Sequence, residues 1–161
     1  MATLTTESEA HELTIWVDAD ACPNVIKAVL YRAADKRKIK TVLVSNQALS
    51  VPRSANVSAR RVSQGFDEAD NAIVEMMSPE DIVITADLPL ANDVIDKNGY
   101  AINPRGTLYS KDNIKSHLSR RDLMADLRDS GLVSGGPPPL DKKNVQDFAN
   151  ALDRLITRMT A

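Results

Sequence analysis

Apolar residues in this chain fall into short β-branched runs separated by longer stretches of helical spacing. TIWVD at 14–18, TVLVSN at 41–46 and DIVIT at 81–85 are apolar at successive positions. That is how strands buried on both faces of a parallel sheet read. VSARRVS at 57–63 and YAIN at 100–103 are weaker runs, and Arg60 and Arg61 place the former at an edge or a strand end. Between the strands, Val25, Ile26, Val29, Leu30 and Ala33 form a helical stripe after Pro23, which suits a first helical turn. Ala69, Ile73, Val74 and Met77 form a second stripe, and LPLANDVIDKNG forms a third that stops on Asn-Gly. Strand and helix alternate, which predicts a five-stranded, mostly parallel sheet with helices on both faces and right-handed crossovers.

Past NPRG at 103–106 no further strand is expected. Residues 111–129 read as helical with a break near Ser119, and GLVSGGPPPL is a loop. The stretch 141–159 puts Val145, Phe148, Ala149, Leu152, Leu155 and Ile156 on one helical face, which should dock on the core. Residues 1–13 read as a flexible tail and 14–161 as one domain, in keeping with a length of 161 residues. Aromatic content of only 4% makes that core aliphatic. The single cysteine, Cys22, cannot form an internal disulfide and reads as a packing residue. With no membrane-length apolar run and no basic, apolar leader, the expected setting is the cytoplasm.

The chemistry lies in the acids. Asp18 and Asp20 follow the first strand, Asp87 follows DIVIT, and Asp67 and Asp70 open the second helix. Ligands of open parallel sheets bind beyond the carboxyl ends of the strands, where the strand order reverses. If the first and fourth strands are neighbours there, Asp18 and Asp87 lie close together and need a proton or a cation between them. Carboxylates and waters suit Mg²⁺ or Mn²⁺, and the absence of a His or Cys cluster disfavours zinc. Asp18, Asp70 and Asp87 form the expected metal set, with Asp20 as a fourth member and Asp67 as a helix cap.

The strings VDADACPNVIK, GFDEADNAIV, ITADLPLA, NPRG and SGGP resemble the YaiI/YqxD family of small bacterial proteins, and the resemblance runs from Ile15 into the last helix. It implies kinship with PIN/NYN-like nuclease domains, hence a three-layer α/β/α PIN-like fold with extra C-terminal helices and strand-end carboxylates binding Mg²⁺ or Mn²⁺. Asp18 looks like the first-strand acid, Asp87 like the acid of the Thr-x-Asp element in Thr85-Ala86-Asp87, and Asp70 like the helical acid between them. The PIN pattern often adds an acid soon after the fourth strand; the nearest here is Asp93, well into a helix, so Asp20 stands in its place.

A nuclease reading, with RNA as the expected substrate, needs cations for the phosphates. A net charge of −2 supplies no global attraction. From Asn103 to Arg121 the charged residues are Arg105, Lys111, Lys115, Arg120 and Arg121 against the single acid Asp112. Arg105, with Asn103, Ser45 and Asn46, is the expected substrate-binding group, while Thr85 and Asn71 would orient waters. Two other readings stand beside it. Asp18-Ala19-Asp20 is similar to the DxD of haloacid-dehalogenase-type phosphatases, with Asp18 as nucleophile, Asp20 as acid/base and Ser45 as phosphate ligand. A non-catalytic RNA-binding module is the other.

Overall fold

The structure, a computed structural model, describes residues 12–65, 67–135 and 138–160. Most of the expected tail at 1–13, and Gly136 and Pro137 of the SGGPPP loop, lie outside the described residues. Six strands form one sheet: β1 (Thr14–Asp18), β2 (Lys40–Ser45), β3 (Val57–Arg61), β4 (Ile82–Ile84), β5 (Tyr100–Ile102) and β6 (Leu108–Tyr109). Their spatial order is β3-β2-β1-β4-β5-β6. All pairings are parallel except that of β5 with β6. The chain therefore winds outward from β1 to β3, returns to the other side of β1, and winds outward again. That reversal falls between β1 and β4, which meets the condition for Asp18 and Asp87 to lie close together.

Among the described residues, five α-helices cover the sheet: α1 (Asn24–Arg37), α2 (Glu68–Met76), α3 (Leu88–Asp96), α4 (Ile114–Asp129) and α5 (Lys142–Thr160). Alternation along β1 divides the core in two. Ile15 and Val17 join Ile26 and Leu30 of α1 and Phe148, Leu152 and Leu155 of α5 on one face. Trp16 joins Ile73 of α2, Leu90 and Val94 of α3 and Ile114 of α4 on the other. By the same alternation Asp18 lies on Trp16's side of the sheet, under α2 and α3.

The sixth strand departs from expectation. Two residues carry no periodic signal, and the turn before them is set by side-chain chemistry instead: Asn103 Oδ1 accepts from the backbone N–H of Arg105 (2.9 Å) and Thr107 (3.0 Å). Gly106 completes that turn at φ 97°, and a Cβ there would sit 2.8 Å from the Asp147 backbone of α5. Close approach of the hairpin to α5 thus requires glycine. The break expected near Ser119 is absent, because α4 runs unbroken from Ile114 to Asp129. Pro23 occupies the N-cap of α1 rather than its first turn.

Asp81 fixes the register of the central pair. It is 1% exposed and accepts from Thr14 N (3.1 Å), Trp16 Nε1 (3.0 Å) and Ser78 N (2.9 Å). A buried carboxylate holding donors on β1 from the start of β4 joins the two strands by side chain as well as by ladder. Removing an acceptor from buried donors costs about 1–3 kcal/mol per stranded group. Asp81→Ala should therefore lower the unfolding free energy by about 3–5 kcal/mol. Urea denaturation checks this, and Asp81→Asn should lose clearly less.

Candidate functional site

The parallel strands end on a common rim. Asp18 closes β1, 6% exposed, and Thr85 follows β4 at 2% exposure. Thr85 Oγ1 donates to Asp18 Oδ2 (3.0 Å) and accepts from the Asp87 N–H (3.0 Å), so one hydroxyl links the two strand-end acids. Asp87 caps α3, its Oδ1 accepting from Leu90 N at 2.9 Å. Beyond that, Asp18 Oδ1 accepts from no N–H or hydroxyl among the described residues.

Asp70 arrives from α2. Ile73 and Met77 are buried at the helical spacing that leads back to Asp70, so the apolar stripe of α2 ends on a carboxylate at the strand-end rim. Burial, then repulsion from Asp87, Asp18 and Asp67, then a hydrogen bond with Asp87, push the Asp70 carboxyl up to about 7. Burial also raises Asp18; the Thr85 bond opposes this, while Asp87 and Asp20 add to it. The N-terminal ends of α2 and α3 offset part of this repulsion through their dipoles. Among the described residues, no group of three or more His, Cys, Asp or Glu side chains is placed to hold a metal ion as it stands. The carboxylates are near enough to repel but are not gathered around one point.

Other residues expected at the site have different employments. Asp20 accepts from Ser45 Oγ (2.5 Å) and Asn46 N (3.0 Å), tying the turn after β1 to the end of β2. Asp67 stands at the N-cap of α2 with φ 63°, yet its side chain makes no capping bond, so its influence on the site is electrostatic. Asn71 lines a groove with Arg60 and Arg61, between α2 and β3. Asn103 holds its own turn and donates to Tyr109 Oη at 3.0 Å. Arg105 neither pairs with the acids nor stands free: Nη1 donates to Asn144 Oδ1 (3.1 Å) and Nη2 to the Pro138 carbonyl. It latches the loop before α5 to the β5–β6 turn.

Because β6 runs antiparallel, it carries Lys111 to the opposite end of the sheet, beside Glu80 and Asn98. The cationic cluster after Asn103 is therefore split. Sequence reasoning missed Asp81, whose only signal was an acid opening DIVIT. It also read Arg60 and Arg61 only as edge markers. Cys22 is a core residue, as expected, and burial pushes its thiol up to about 12.

An open, mostly parallel α/β sheet with carboxylates at its switch point defines a class of ligand-binding or catalytic scaffold. The chain belongs to the YaiI/YqxD family, described as uncharacterised, whose model matches residues 16–158. It is 54% identical over 147 residues to a UPF0178 protein of Shewanella amazonensis, covering 91% of this chain and 99% of the relative. A UPF0178 protein of Hydrogenovibrio crunogenus is 53% identical over 144 residues, covering 89% and 95%. No solved structure gives a significant match. Among the described residues, no helix is long and apolar enough to cross a membrane.

The raised carboxyls set a pH dependence. Asp70 keeps its proton in the folded chain up to about 7, whereas unfolded it loses it near the ordinary 3.8. The unfolded state binds fewer protons across that window, so stability falls as pH rises through it. Asp70→Asn should flatten this slope and raise Tm at pH 8, by about 2–4 °C per kcal/mol of repulsion relieved. Thermal unfolding of both chains from pH 4 to pH 8, without divalent ions, measures it.

Proposed function

We propose that this protein is a Mg²⁺- or Mn²⁺-dependent phosphodiester hydrolase of PIN-like architecture, acting on RNA. The observation that carries the proposal is the mutual repulsion of Asp70, Asp87 and Asp18 beside the β1–β4 switch point, where burial first and these neighbours second push Asp70 up to about 7. Such a charge arrangement is costly without a cation, and oxygen donors with uncommitted lone pairs are the chemistry Mg²⁺ and Mn²⁺ accept. Asp18, Asp70 and Asp87 would hold the ion.

A bound divalent ion would polarise the phosphate and lower the pKa of an attacking water. The protein's own residues prepare for this. Thr85 fixes the rotamer of Asp18 through its 3.0 Å bond. The Leu90 N–H fixes Asp87 through its Oδ1. Loss of the Asp70 proton completes the donor set, so ion binding releases a proton below neutral pH. Asp20 has both carboxylate oxygens engaged, by Ser45 and by Asn46, and this weighs against the phosphatase reading in which it transfers protons.

The first test is cleavage of a labelled RNA in Mn²⁺ or Mg²⁺, suppressed by EDTA. Asp18→Asn and Asp87→Asn should each lower the rate at least about 100-fold with folding intact, a loss on the scale of removing one electrostatic partner at a reacting centre. RNA bound in EDTA, with no cleavage under any divalent ion, would instead favour a binding module. Mn²⁺ affinity by calorimetry should strengthen from pH 6 to pH 8 as Asp70 loses its proton. A pH-independent affinity would remove Asp70 from the ligand set.

A further inference from the structure

With Arg105 committed to its latch and Lys111 at the far end of the sheet, the site needs another source of positive charge. β3 supplies it. Being parallel to β2, β3 ends on the same rim as the acids, and Arg61 stands in register with Ser45, whose hydroxyl binds Asp20. Arg60 and Arg61 are both exposed, and neither forms an ion pair among the described residues. Both side chains line one groove at the edge of the sheet. Arg60 shares the side of Val62, which packs beneath α2.

Strand order sets the distance. β3 lies two strands from β1, so the arginines sit about 10 Å laterally from the line of Asp18. A groove of about 390 Å³ runs there between the edge and α2, lined by Arg60, Arg61, Ser63 and Asn71, with Glu68 and Glu75 on its helical wall. Neither acid forms an ion pair with the arginines among the described residues, though both offset part of their positive charge.

We propose that Arg60 and Arg61 form a phosphate-binding edge that takes the backbone of a single RNA strand flanking the bond held at the acids. The groove's described walls carry no exposed aromatic ring on which bases would stack, Trp16 and Tyr109 being buried. Recognition is therefore of phosphates rather than of sequence. The assignment rests on the nuclease reading for its choice of ligand, but its own test does not require cleavage.

The probe is a fluorescein-labelled 12-nucleotide single-stranded RNA, followed by anisotropy between 50 and 200 mM salt, with Mn²⁺ binding measured separately by calorimetry. Each phosphate contact on a single strand contributes about 0.7 to the slope of log K against log salt. The Arg60→Ala/Arg61→Ala chain should lose about 1.4 of that slope and bind at least tenfold more weakly at 50 mM. Mn²⁺ affinity should be unchanged, and oligo-A and oligo-U should lose affinity alike. Arg60→Lys/Arg61→Lys, which keeps the charge, should restore most of the slope, separating loss of charge from damage to the strand. An unchanged affinity and slope in the double alanine chain, or no RNA binding by the native chain, overturns the proposal. If the slope falls as expected while Mn²⁺ binds neither chain, the phosphate edge stands and the metal reading fails.

Discussion

Everything at the rim depends on the pairing of β1 with β4. Two polar side-chain ties, one at each end, hold this pair: Asp81 grips Thr14 and Trp16 where the strands begin, and Thr85 grips Asp18 where they end. A slip of one residue would break both ties and turn Trp16 out of its cluster, so register is specified more tightly than three ladder positions could manage. The distance between Asp18 and Asp87 is in this sense a property of the sheet. Asp18 ends β1 itself, and Asp87, three residues past β4, is held by Thr85 Oγ1 and the Leu90 N–H.

The sheet's central strands were legible because buried parallel strands leave an unbroken apolar signature, and an acid directly after such a run is placed on the rim by topology alone. Asp18 and Asp87 could be read in this way. Asp70 could be read less directly, from its spacing to Ile73 and Met77. Arg105 could not: its partners, Pro138 and Asn144, lie 33 and 39 residues further along the chain. Nor could β6, since a two-residue strand has no period and is created by the turn before it. The edge position of β3 was correctly signalled by its arginines, but the same signal conceals a second meaning, because charge that protects an edge also presents cations to a ligand.

The energetic character of the rim differs from that of the core beneath it. Below, two aliphatic clusters are sealed on either face of the sheet; above, carboxylates are drawn together against their mutual repulsion and partly relieved by two helix N-termini. The repelling carboxylates thus stand beyond the ends of the central strands, above the two buried clusters.

The Arg105 latch also bears on how the chain is threaded. The last helix is held to the body by two independent means, an apolar face among the residues of α1 and β1 and a guanidinium fastened to Asn144 and Pro138. The segment from Ser130 to Gly135 that leads toward it is mostly exposed, and two of its residues, Gly131 and Gly135, have backbone angles that glycine favours. The last helix thus has attachments to the body that do not run through that segment: an apolar face against α1 and β1 and the Arg105 bonds to Asn144 and Pro138.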